Sequence, residues 1–384
     1  MARRIAGRGR KAYRRRLRRP YRELKRRGRG VRRRAVRLRG RKEAERELAR
    51  IASGSKPIVI GPYASEMAFE ILYWIPMLTW WAERYGVDRE RVTVISRGGA
   101  DPWYRDLCST YLDIFDYCSP EALKTAVDRS IERTRSSKQT AVSDFDREVL
   151  RRAAADIGTD DYTLLHPRLM WQLLTRSFTM LGRGQLPLST VIERSVYRPL
   201  PAPGPSSAVD GLPEDYVAVK LYFSGNLPDT GAHRQFLGTL LSRLVERTHV
   251  VVLESGIDID EHEAWLPAAS SRVHFPPGLT ARNNLALQTE LIAGARALFT
   301  TFGGFAYMAA FLDVPAYALL GAARDYNAVH DDVLARAERA LRRQGRHPRV
   351  VPLSIEDAGA LDVLVGAGDA CAGTSPDAPA LTGP

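Results

Sequence analysis

Cysteine is scarce in this chain. Cys108, Cys118 and Cys371 are the three present, with no C-x-x-C spacing and no histidine at a matching ligand distance. That excludes a disulfide framework and a thiolate zinc site, and leads us to expect reduced thiols in an intracellular protein. No run of about 18 apolar residues occurs, so no transmembrane helix is expected. The first stretch lacks the apolar centre of a secretory signal and the serine content of a transit peptide. No G-x-G-x-x-G follows a strand-like run, which disfavours a nicotinamide enzyme. Acidic residues are missing from one region above all. Residues 1–50 hold 24 Lys and Arg against four Glu, so the whole excess behind the net charge of +13 lies there and the remainder is net negative.

Such a segment has no apolar core and repels itself. It is expected to be disordered or partly helical, with a helix from about Arg41 into Ile51, until it meets a polyanion. An anionic membrane face is the preferred partner, at about 1 kcal/mol per basic residue near the surface. Nucleic acid, through phosphate neutralisation, is the second. The expected location is cytoplasmic and peripheral to the inner face of the membrane.

What is present elsewhere suits two ordinary domains, since 384 residues at 45% hydrophobic content can bury a sizeable core. The folded part begins near Lys56. Pro57 to Ile60 reads as a strand closed by Gly61-Pro62, followed by a helix pair joined or kinked at Pro76 and capped by Ser65. Val92 to Ser96 is a second strand, ending in Arg97-Gly98-Gly99, and Ile114 to Tyr117 a third. Ser119 to Arg198 is mostly helical in pattern, with Tyr162 to Leu181 the clearest piece. The aperiodic, Pro- and Gly-rich residues 199–213 read as a linker. Strands at Tyr216 to Phe223, His249 to Ser255 and Val350 to Leu353 follow, with helices at Gln235 to Arg247, Ala281 to Ala293 and Val333 to Arg343. The expected division is 1–55, 56–198, 199–213, 214–366, and a mobile tail 367–384. Alternation of strand and helix in both halves predicts an α/β chain of two Rossmann-like, doubly wound domains with a central cleft.

Ala297 to Leu320 is the most informative stretch. It reads as a strand, the pair Gly303-Gly304, a helix from Phe305 to Leu312, and a second strand from Ala316. Glycines where a strand hands over to a helix either make a tight turn only or let an anion such as a diphosphate approach the helix amides. Lys220, inside the apolar run VAVKLYF, either points to solvent from an edge strand or is a charge held for a partner.

Here the residues carry a resemblance. GPYASEMAFEILYWIP and ELIAGARALFTTFGGFAYMAAFLDVPAYAL resemble glycosyltransferases of the GT-B fold, the second segment being similar to the donor side of heptosyltransferase-like and fucosyltransferase-like groups. It spans roughly Ile58 to Leu353. It implies transfer of a sugar from a nucleotide-sugar, bound by the C-terminal half as co-substrate, to a glycan or other hydroxyl acceptor on the N-terminal half, without a further cofactor. That chemistry needs a base, a stabilised diphosphate leaving group and a closed cleft. The expected diphosphate contacts are Gly303, Gly304, Phe305, Lys220 and Arg97, with Arg282 behind them. Glu66 is the expected base, with Glu70 orienting it or binding the acceptor; both are also ordinary helix-start carboxylates. Gln288 and Glu290 are expected at the nucleotide. His166, His233 and His274 stand near element ends and read as structural. Asp258 and Asp260 form a D-x-D, the pair used for Mn2+ or Mg2+ in other sugar transferases, yet no metal is expected. The rivals are a sugar-nucleotide epimerase or hydrolase of the same fold, and a non-catalytic polyanion-binding protein.

Overall fold

The computed structural model describes residues 40–134, 138–175, 193–204, 206, 209–254, 263–268, 270–321 and 329–370. Its inner strands are short runs buried on both faces, the pattern that all-parallel sheets demand. In the first lobe these are β1 (Ile58–Ile60), β2 (Val92–Ser96), β3 (Thr110–Asp113) and β4 (Thr163–Leu165). They pair in parallel in the order β3-β2-β1-β4, with Ile58 opposite both Val92 and Thr163. The second lobe holds β5 (Tyr216–Lys220), β7 (His249–Val252), β9 (Val273–His274), β10 (Leu298–Thr301), β11 (Ala316–Leu320) and β12 (Val350–Ser354). Their order is β12-β11-β10-β5-β7-β9, all parallel. A small antiparallel ribbon joins β6 (Tyr222–Phe223) to β8 (Glu263–Ala264).

The second sheet has the strand order of a doubly wound dinucleotide-binding fold. Its chain order reverses between β5 and β10, and the first sheet reverses between β1 and β4. At such a reversal the connections leave to opposite faces and open a crevice beyond the carboxyl ends of the strands.

Helices in chain order are α1 (40–53), α2 (running Met67–Phe69, Glu70–Trp74, Ile75–Tyr85), α3 (Asp101–Tyr104), α4 (Pro120–Thr134), α5 (Asp144–Arg152), α6 (Ala154–Ile157) and α7 (Arg168–Met170). In the second lobe come α8 (Gly231–Val245), α9 (Asn284–Ala293), α10 (Gly304–Phe311), α11 (Val329–Arg342) and α12 (Ala360–Ala370). Four expectations are corrected. The pair of helices at Pro76 is one helix, because the π-turn Glu70–Trp74 shifts the hydrogen-bond register just where proline withholds its N–H. Ile114–Asp116 is a 3-10 turn, begun when the Asp113 carboxylate accepts from the Phe115 amide, and the strand precedes it. The stretch read as helix from Tyr162 opens with β4, whose three residues are claimed by β1. Residues 360–370, read in part as tail, form α12, which buries Leu364 against the second lobe; residues 371–384 lie outside the described residues.

α1 belongs to the first lobe. Ala44, Leu48 and Ile51 are buried, and Trp81 of α2 donates to the Leu48 carbonyl at 3.0 Å. Burying a Leu and an Ile side chain contributes about 1.5–3 kcal/mol each, enough to dock a helix whose other face carries Arg and Lys.

The two lobes are fastened by backbone as well as by side chains. The Gly98 carbonyl, in the loop after β2, accepts from the Leu285 and Ala286 amides at 2.7 and 3.0 Å. It thereby caps α9, because the N-cap residue Asn283 spends its side chain on Thr280 and Gly278 and makes no cap bond to the helix. Gly98 and Gly99 both have φ of 70°, the left-handed region. Both also lie against α9, where a Cβ on Gly98 would stand 2.9 Å from Leu285 Cγ. Nearby, Trp103 donates to Thr289 at 3.1 Å and Arg282 pairs with Asp116 at 2.9 Å. One apolar cluster runs through both lobes, from Leu48 and Trp81 to Met308 and Leu341. Gly98→Ala should therefore lower stability by roughly 1–3 kcal/mol through backbone strain and overpacking, read as a drop in the urea midpoint. An unchanged midpoint would mean that the loop moves freely away from α9.

Candidate functional site

Both strand-order reversals open on one cleft of about 370 Å3. The second lobe supplies Lys220 from the last position of β5, the β10–α10 junction at Gly303, Gly304 and Phe305, and Asn284 and Gln288 from α9. The first lobe supplies Glu66 before α2, Phe69, and Arg97 after β2. Of the residues singled out from sequence, Glu66, Arg97, Lys220, Gln288, Gly303, Gly304 and Phe305 are brought together here.

Their local geometry follows from the elements that carry them. The amides of Gly304 and Phe305 are the first of α10 and have no acceptor within the helix. Gly303 is extended (φ 166°), so its glycine is required by space and not by turn geometry: a Cβ would lie 2.5 Å from the Tyr222 hydroxyl. Gly304 is required by the other lobe, since a Cβ would meet Met67 Cε at 2.8 Å and the Ala68 amide nitrogen at 3.0 Å. The turn expected of this pair is thus a double close approach.

Lys220 does not sit on an edge strand. β5 is central, and the ammonium lies 3.1 Å from Glu254 and 5.5 Å from the centre of the Phe305 ring. Half-buried charges persist when paired, and Glu254, two residues past β7, is the partner that the sequence reading missed. A charge in an apolar run is what marked Lys220, and the run HVVVLES carries Glu254 in the same way at the carboxyl end of the adjoining strand. Arg97 is 8% exposed, donates to the Tyr63 carbonyl at 3.3 Å and lies over the Tyr63 ring.

Glu66 and Glu70 part company. Glu66 is exposed at the cleft, and its side chain makes no cap bond. Glu70 is fully buried behind the wall, so it neither meets an acceptor nor orients Glu66. Glu290 also stands outside the cleft, where its carboxylate accepts from the amide and hydroxyl of Ser206, each at 2.7 Å, and pins the connection between lobes. Gln288 is buried, donates to Asn284 and leaves its Oε1 without a partner beside the cleft. Arg282 is spent on Asp116, His166 on Asp146, His233 on the Pro228 carbonyl and His274 on His249. Asp258 and Asp260 lie outside the described residues.

Two further groups had no sequence signal, because only tertiary packing places them. His330, from α11, lines the cleft with its Nδ1 2.8 Å from the Tyr73 hydroxyl. Lys138 sits 5.0 Å from the Phe69 ring centre and 5.1 Å from that of Trp171, with its pKa lowered by burial against the attraction of Glu66.

No known family profile matches the chain, and no curated protein matches it. Among solved structures it is similar to the ADP-heptose LPS heptosyltransferase II of E. coli, at 14% identity over 82% of this chain and 98% of that one, with a TM-score of 0.44. It is also similar to the glycosyl transferase family 9 protein of Veillonella parvula (10% identity, 82% and 96% covered, TM-score 0.39). A third is the UDP-GlcNAc 2-epimerase of Methanocaldococcus jannaschii (11% identity, 80% and 91% covered, TM-score 0.35). At such scores the likeness carries no argument about activity.

Burial, and then the charge of Lys138, push the His330 imidazole down from 6.5 to about 4. The folded chain holds it neutral, so unfolding takes up a proton, and His330 costs stability as pH falls through that window and nothing above it. Asp113 and Asp331, both raised to about 6 by burial, act in the opposite sense. The comparison must therefore be between chains: His330→Asn should lose less stability than the parent on acidification, by up to about 3 kcal/mol, in urea unfolding. Parallel pH profiles would refute the neutral imidazole.

Proposed function

We propose that the chain is a glycosyltransferase that moves a sugar from a nucleotide-activated donor to an acceptor hydroxyl within this cleft. The observation that carries the reading is the convergence of both strand-order reversals on one cavity, with the open amides of α10 and the Lys220 ammonium on one wall and an exposed carboxylate, Glu66, on the other. Transfer of a glycosyl group releases a diphosphate whose charge grows as the bond to the sugar breaks. Amides at the positive end of a helix, fixed in place before the reaction, stabilise that charge without reorganising.

On this reading Gly303, Gly304 and Phe305 present the amides, and Lys220 leaves Glu254 for the diphosphate, aided by Arg97. Asn284 and Gln288 hydrogen-bond the nucleoside. Glu66 takes the proton of the acceptor hydroxyl as that oxygen attacks the anomeric carbon, and the apposed lobes keep water from competing. The Arg-rich residues 1–50, of which 1–39 lie outside the described residues, attach the enzyme to an anionic membrane face; their charge alone supports this.

Nucleoside diphosphates should raise the melting temperature of the full chain, with free ligand in excess. Lys220→Ala should weaken that binding by roughly 10- to 100-fold, the value of a charge-assisted contact, in titration calorimetry. Glu66→Gln should leave donor affinity alone and lower kcat by on the order of 100-fold. Full turnover in that variant would place the base elsewhere. Failure of every nucleoside diphosphate to bind would end the donor assignment.

A further inference from the structure

Glu70 is a buried charged residue that the proposed reaction leaves unused. It is 0% exposed, at the start of the π-turn in α2. Its Oε1 accepts from the hydroxyls of Ser96 and Tyr104, each at 2.5 Å, while its Oε2 has no hydrogen-bond partner. The nearest cation is Arg97, whose Nη1 stands 3.8 Å from Oε2, beyond hydrogen-bond range. The same guanidinium lines the cleft. Among the described residues, the other ionisable groups that face Glu70 add negative charge or none: Tyr63 from the β1–α2 connection, Tyr104 from α3, and Tyr111 and Asp113 from β3. A buried carboxylate therefore depends on one cation, and that cation is the one a ligand reaches.

We propose that Glu70 couples anion binding in the cleft to the uptake of one proton, with Arg97 as the link between them. The inference rests on the reading of Arg97 as a diphosphate contact. When an anion pairs with the guanidinium, the charge that offset Glu70 is shared and a second negative group stands close by. In a fully buried site an uncompensated carboxylate is costly and protonates instead. The solvent or buffer acid gives up the proton, an O–H bond forms at the open Oε2, and no electron moves. Burial already raises the Glu70 pKa, and a bound anion raises it further, so binding strengthens as pH falls toward that value. Glu70 is thus a positioning residue that meters the charge of Arg97.

The test is titration of ADP and of UDP into the full chain, in two buffers of different ionisation enthalpy, at neutral and mildly acidic pH. The parent should take up a fraction of a proton on binding, largest between the Glu70 pKa of the free chain and that of the bound chain and smaller on either side. Glu70→Gln keeps the size and both hydroxyl contacts of the side chain and frees Arg97 of its carboxylate. It should bind at least as tightly as the parent, up to about tenfold tighter, with the uptake reduced to that of the ligand's own phosphate. A purely structural Glu70 gives the reverse, weaker binding. Binding with no net uptake, uptake unchanged in the variant, or weaker binding by a variant with the parent's melting temperature each overturns the coupling while leaving the donor reading intact. Should neither these two nor any other nucleoside diphosphate bind, the donor reading falls. Inorganic pyrophosphate, titrated in the same way, then decides the coupling, and absence of its binding or of its proton uptake overturns it.

Discussion

The arrangement of this molecule depends on one carbonyl. Gly98 O, at the end of a strand in the first lobe, accepts from the Leu285 and Ala286 amides that open α9 in the second. A helix start buried between lobes with its amides unmet would cost on the order of 1–3 kcal/mol per group, so the two lobes satisfy one another or neither closes. The requirement fixes two neighbouring residues in left-handed backbone and leaves them no room for side chains. Arg97 precedes them and Asn284 follows across the gap, so the contact that joins the lobes also sets the width of the cleft.

Within that cleft the charges are already arranged against one another. Lys220 pairs with Glu254, and Arg97 with the buried Glu70 at a longer distance. A site that gathers cations for an anion would repel itself when empty. Here each cation has a carboxylate to hold it in place, and the carboxylates differ in how readily they let go. Glu254 is partly exposed and can be resolvated, whereas Glu70 has no water to turn to.

Much of this architecture was legible from residue order. Short apolar runs marked β1, β2, β5 and β10, and Arg97 and Gly303 stand just past two of them; the run read as one strand to Phe223 instead ends β5 at Lys220 and gives Tyr222–Phe223 to the ribbon strand β6. The misreadings have physical causes. Glu66 and Glu70 look like neighbours on one helical face at a spacing of four, but Glu66 is the extended N-cap (φ −60°, ψ 136°) and stands off the helix, while Glu70, inside it, faces the core. Thr163 to Leu165 are three apolar or β-branched residues next to a helical pattern, and only their pairing with β1 makes them a strand. Glu290 carries a signal no different from that of Gln288; whether such a side chain faces the cleft or Ser206 is decided by where the connecting segment runs. His330 and Lys138 owe their places to packing between distant segments, which no local pattern records.

The apolar cluster that begins with Leu48 in α1 continues without a break to Leu341 in α11. Molecules built as two halves around a cleft are often pictured as hinged jaws, each with a private interior. Here each lobe keeps a private cluster on its outer side, yet on the inner side Trp103, Leu285, Met308 and Phe311 share a single interior across the divide. Melting one half would bare the apolar face that the other shares with it, so the common cluster ties the stability of each lobe to that of its partner.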